Sequence, residues 1–124
     1  MVKIMAKMLD IHCQEPWFSK ICQGYKTVEG RKFSEKYARL APGSLLRFYC
    51  DERSFIAEVV QVISYKSLEE YLTVEGFSKV LPGITSFAAA LEIYLQYNTR
   101  QELEEAGSFL GIHLKLIKQG VVNE

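Results

Sequence analysis

The sequence predicts an α+β fold, a small mixed β-barrel or curled sheet with helices packed on one side. Three observations lead there. Residues 45–50 and 55–65 are two runs rich in aromatic and β-branched side chains, joined by the acidic turn Asp51-Glu52-Arg53, and they read as an antiparallel hairpin. Helix-opening residues gather between positions 67 and 106. Strand-like segments stand at both ends of the chain, so the regular strand–helix alternation of a parallel sheet is missing.

The elements follow in order. Residues 7–13 (KMLDIHC) alternate weakly and read as a first strand. Pro16 suits the first turn of a helix over 16–23, which stops at Gly24. Residues 25–31 (YKTVEGR) read as a short extended segment, since Thr27 and Val28 are β-branched. Ser34 caps a short helix to about Leu40, and Pro42-Gly43 is a turn before the hairpin. Ser67 with Glu70 makes a capping box for a helix to about Thr73. Residues 76–80 add one helical turn before Pro82-Gly83. Ser86 opens a helix over 87–97, with Phe87, Leu91, Tyr94 and Leu95 on one face. Thr99 with Glu102 is a second capping box, for a helix ending at Ala106-Gly107. Residues 109–118 alternate Ile112, Leu114 and Leu116 against His113 and Lys115, which predicts a last strand, and residues 119–124 read as a loose tail.

Composition bounds the function. One domain accounts for 124 residues, with a core at about 9–118. Hydrophobic residues are 48% and charged residues 24%, which excludes a disordered chain. Fifteen basic and fifteen acidic side chains cancel, so an anionic partner must be met by a local cluster. Apolar runs fall far short of the roughly 18–20 residues that span a bilayer. Cys13, Cys22 and Cys50 are odd in number and lack metal-ligand spacing, and no secretory leader pattern precedes them. The reading is an intracellular protein, cytoplasmic or nuclear, with no metal and no cofactor.

The segment from Gly24 to Arg31 carries the chemistry. In extended backbone Glu29 and Arg31 share a face, and Lys26 joins them only if the chain bends or bulges, which Gly30 permits. Such a trio can hold a polar planar ligand: arginine offers a two-pronged fork, lysine a point charge, and glutamate an acceptor for an exocyclic amine. The same charges equally describe an exposed ion-pair patch of little energetic weight. Trp17 stacks a base at the cleft rim or packs in the core. Tyr97 faces the cleft or solvent, and Tyr94 is core. His12 and His113, on the first and last strands, meet if those strands pair in a barrel, and they would then serve as acid and base. Lys3, Lys7, Lys20 and Lys26 form a thin basic end.

Four stretches of the sequence, in this order, resemble the ASCH domain family (activating signal cointegrator homology). They are Trp17-Phe18-Ser19-Lys20-Ile21, the Gly24–Arg31 run, Leu40-Ala41-Pro42-Gly43-Ser44-Leu45-Leu46-Arg47-Phe48, and Ala106-Gly107 followed by Gly111-Ile112 and Leu114. The resemblance spans about residues 9–116. It implies a PUA-like fold, a small β-barrel with helices flanking a cleft, and recognition of RNA or a modified nucleoside in that cleft. Lys26, Glu29 and Arg31 match the family's polar motif, with Thr27 beside Lys26. The implied function is a module that binds single-stranded RNA, a nucleotide or a modified base through Lys26, Thr27, Glu29, Arg31, Trp17 and Tyr97.

One branch of the family is similar to amidohydrolases that deacetylate N4-acetylcytidine with a lysine, a threonine and a glutamate. Lys26 matches that lysine, but Glu29 stands at the threonine position. Pro82-Gly83 stands near the glutamate position, with Glu75 and Glu92 the nearest acids. A hydrolase of acylated nucleosides, with Lys26 and Glu29 as catalytic groups, or a ribonuclease is therefore the alternative. A protein-interaction adaptor with an exposed apolar patch over residues 77–84 is the third reading.

Overall fold

The structure is a computed structural model that describes residues 8–117 and the backbone of Val122–Asn123. The chain runs β1 (Leu9–His12), α1 (Trp17–Cys22), β2 (Val28–Lys32), α2 (Glu35–Ala38), β3 (Leu45–Cys50), β4 (Arg53–Tyr65), α3 (Leu68–Glu75), α4 (Phe77–Val80), α5 (Phe87–Tyr97), α6 (Arg100–Ala106), β5 (Phe109–Leu116) and β6 (Val122–Asn123).

The strands form one curled sheet in the order β1-β3-β4-β5-β2, a half-barrel of the PUA-like kind. The expected β3–β4 hairpin is there, pairing Leu45 with Glu58 through Cys50 with Arg53. A register shift between Val59 and Gln61 leaves Val60 outside the ladder and half exposed. The first and last long strands do not pair. β1 lies parallel to β3, with Ile11 opposite Phe48, while β5 is flanked by β4 and β2. Both ladder edges of β5 are thus taken, and β1 finds its apolar partner elsewhere. His12 and His113 consequently sit on opposite flanks of the hairpin.

Apolar side chains divide between the two faces. Inside the curl, Ile11, Leu46, Phe48, Phe55, Val59 and Ile112 pack with Phe18 and Ile21 of α1. On the other face, Val28, Tyr65 and Phe109 pack with Leu68, Tyr71 and Leu72 of α3, Val80 and Leu81, and Ala90 and Tyr94 of α5. Trp17 touches both clusters. The apolar patch expected over residues 77–84 is core instead: Val80 and Leu81 are buried, and Ile84 and Phe77 pack against the second cluster. On α5 the expected face holds at Tyr94, which is buried, and at Leu91 and Leu95, which pack against the second cluster, whereas Phe87 is exposed and Ala90 is buried.

Local signals mostly hold. Ser34, Ser67, Ser86 and Thr99 each accept from a backbone N–H at the start of a helix. Thr99 and Glu102 close the full capping box. Glu70 instead accepts from the Lys66 amide, so the box expected with Ser67 is only half made. Within the tail expected to be loose, Val122–Asn123 pairs with Ser54 and Arg53 of β4. Lys3 and Lys7 of the basic end, and Lys118 of the last strand, lie outside the described residues.

Candidate functional site

The strand path ends at β1 and β2, and these two edges do not share a ladder. A side chain spans the seam: Arg31 Nη2 donates to the His12 carbonyl at 2.9 Å. A cleft of about 440 Å3 opens here. His12, Cys13 and Gln14 line one wall, Glu29 to Lys32 the other, and Ile93, Tyr94, Tyr97 and Asn98 come from the α5 side. Trp17, Lys26, Tyr37 and Leu81 complete the lining.

Strand alternation sets the polar floor. Val28 enters the second core, so Glu29 and Arg31 point to the opposite face, where Glu29 pairs with Ile112. Lys26 reaches them from the loop ahead of β2, and the register of β2 is unbroken. The bend expected at Gly30 is therefore absent. Gly30 is needed for another reason: a Cβ there would stand 2.6 Å from Tyr71 Oη and 2.8 Å from the Phe109 ring.

The three charges bind one another. Arg31 Nε and Nη2 donate to Glu29 Oε2 at 3.0 and 2.7 Å, and Nη1 donates to the Tyr37 hydroxyl at 3.3 Å. Lys26 Nζ lies 3.4 Å from Glu29 Oε1 and donates to the carbonyls of Val28 at 2.7 Å and Val80 at 2.6 Å. These three partners match the three N–H groups of an ammonium. Lys26 is 2% exposed and Glu29 7%, whereas 27% of the Arg31 side chain meets solvent. Lys26 thus braces the end of α4 against β2, and Arg31 is the cation of the trio that faces the cleft.

Burial drives the electrostatics, and pairing answers it. Desolvation pushes the Glu29 carboxyl upward, but the Arg31 and Lys26 charges and hydrogen bonds outweigh it and hold the group below the usual carboxylate range. Burial pulls the Lys26 ammonium below its ordinary value, with Glu29 pulling back. Burial opposes the Arg31 charge, yet Glu29 raises its value. The Cys13 thiol is pushed up to about 12 by burial and then by Glu29.

The remaining candidates divide. Trp17 is half-buried and Tyr97 is exposed at the mouth, where its hydroxyl donates to Gln14 Oε1 at 3.3 Å. Thr27 is exposed and outside the cleft lining, and its carbonyl accepts from the Leu114 amide. His12 is at the cleft with its ring against Tyr49. His113 is elsewhere: its Nε2 lies 2.7 Å from Glu75 Oε2, which also accepts from Tyr65 Oη at 2.5 Å. Glu75 and Glu92 both lie off the cleft, and among the described lining residues Glu29 is the one carboxylate. Gln14, Tyr37 and Asn98 line the cleft without having been singled out in the sequence. Their only local signal is the Ser34 cap, which sets the phase of α2 and hence of Tyr37.

A curled half-barrel with α1 packed on one face, α3 to α5 on the other instead of all helices on one side, and a polar cleft at its open seam has the PUA-like fold. Residues 11–114 match the ASCH domain, and the chain belongs to that family. It is similar to the crystal structure of hypothetical protein PH0355, at 28% identity and TM-score 0.79, over 90% of this chain and 100% of that one. The solution structure of protein PF0455 from Pyrococcus furiosus matches at 24% identity and TM-score 0.73, over 90% and 99%. The S128A mutant of ZmASCH from Zymomonas mobilis shares the fold at 15% identity and TM-score 0.64, over 94% and 74%. No curated protein matches the chain.

Proposed function

We propose that the seam cleft takes a single nucleobase, presented by single-stranded RNA or by a nucleotide. One observation carries this reading: a paired Lys26–Glu29–Arg31 floor under a concave mouth flanked by Trp17 and Tyr97. The volume suits a small-ligand pocket, and aromatic rims stack bases whatever their sequence. Arg31 offers the N–H that its protein contacts leave over on Nη1, on a partly exposed and charged guanidinium, to a base edge or phosphate. Glu29 holds that guanidinium in place, and Lys26 holds Glu29. RNA recognition built on a splayed base fits a chain with no net charge.

Titration with short RNA oligomers at low and moderate salt tests the reading. Binding is expected to weaken at least tenfold in Arg31→Ala, equivalent to about 1.4 kcal/mol. The salt slope should stay shallow, about −0.7 per neutralised phosphate. Arg31→Ala binding as well as the parent overturns the cleft reading. A hydrolase would need Lys26 or Glu29 to carry a proton, and their mutual pairing works against that. Turnover of N4-acetylcytidine would nonetheless make the cleft a catalytic site.

A further inference from the structure

The parallel β1–β3 register runs Leu9 with Leu46 through His12 with Tyr49. The ladder continues one step, because the Cys13 amide donates to the Tyr49 carbonyl at 3.0 Å. The next pair in register is therefore Cys13 with Cys50. Both fall on the inward face, two residues beyond the inward pair Ile11 and Phe48, and both pack on the first core cluster. Residues in register on neighbouring strands lie within the Cα range of about 4.4–6.8 Å that a disulfide accepts.

We propose that Cys13 and Cys50 form a reversible redox site, a thiol pair that a hydroperoxide converts to a disulfide at the wall of the cleft. The two sulfurs have unequal roles. Cys50 is half-buried, and Arg53 Nη2 donates to its Sγ at 3.6 Å. Cys13 is buried, and its thiol is held protonated by that burial and by the neighbouring Glu29. The Cys50 sulfur attacks the hydroperoxide oxygen as its thiol gives up the proton. The O–O bond breaks, water or an alcohol leaves with one proton, and Cys50 becomes a sulfenic acid. The Cys13 sulfur then attacks the Cys50 sulfur. The S–O bond breaks, and the sulfenic hydroxyl leaves as water with the Cys13 proton. The two thiols lose two electrons, and the peroxide gains them. A thiol reductant reverses the step by exchange. Cys13 lines the cleft while Cys50 does not, so the bridge ties the cleft wall to β3.

Treatment of the full chain with hydrogen peroxide, followed by thiol counting and non-reducing peptide mass spectrometry, decides the matter. The free thiol count is expected to fall from three to one, with a Cys13–Cys50 linked peptide 2 Da lighter than its reduced pair, restored by dithiothreitol. Cys22→Ser should keep the link. Cys13→Ala should leave a Cys50 sulfenic acid that dimedone traps, a readout that does not require the bridge to form. Peroxide that leaves Cys13 and Cys50 reduced, or that links either one only to Cys22 or to a second chain, overturns the proposal.

Discussion

Replacing Lys26 with methionine asks what a buried ammonium does at the cleft floor. Methionine fills a similar volume without charge, so packing changes little. In the parent, Nζ serves the Val28 and Val80 carbonyls at 2.7 and 2.6 Å and faces Glu29 at 3.4 Å. The variant leaves two buried acceptors without that donor, at about 1–3 kcal/mol each. It also leaves the Glu29 charge to Arg31 alone. Relief of the ammonium's own desolvation returns part of this, and the net loss expected for one member of a buried ion network is about 3–5 kcal/mol. For a chain of 124 residues that lowers the melting midpoint by roughly 10–25 °C. Urea unfolding followed by circular dichroism, beside a thermal melt, measures it. The double variant Lys26→Met/Glu29→Gln should be more stable than the sum of the single losses, because the stranded carboxylate is gone. A Lys26→Met protein as stable as the parent, with the same denaturant slope, would refute the bracing role.

Three further outcomes follow from the same contacts. Gly30→Ala should cost about 1–3 kcal/mol, since its Cβ meets the Tyr71 hydroxyl and the Phe109 ring inside the second core; unchanged stability by urea unfolding would mean that Tyr71 moves aside freely. Glu29 has a folded value lowered from its unfolded value of about 4.3. Its stabilisation is therefore complete above that unfolded value and lost as pH falls through the folded one. Stability measured from pH 6 downward should drop more steeply in the parent than in Glu29→Gln, and parallel curves would remove Glu29 from the acid response. Thr99→Ala breaks the reciprocal cap on α6 and should cost about 1 kcal/mol, read as a midpoint lower by roughly 3–5 °C.

Much of the architecture was legible because it is encoded locally. The 45–50 strand, the hairpin and four helix caps depend on residue types within a few positions, and the structure places each where those signals put it. The candidate trio was legible as a cluster for the same reason: Lys26, Glu29 and Arg31 lie within six positions, and strand alternation already puts two of them together. What Lys26 touches was not legible. Its partner at Val80 is 54 residues away, and nothing in the local pattern marks a backbone carbonyl as an acceptor. His113 likewise found Glu75, 38 positions distant, instead of the other histidine.

The amino-acid order by itself determined the class of fold, most elements, the family and the charges available to the cleft. Tertiary structure decided that β1 joins β3, that the seam between β1 and β2 stays open under Arg31, and that Lys26 is spent within the protein while Arg31 faces outward. Caps and alternation act over a few residues, where the covalent chain holds partners in reach. Strand order and buried pairing are settled by competition among distant segments for the same hydrogen-bonding edges and the same dry space.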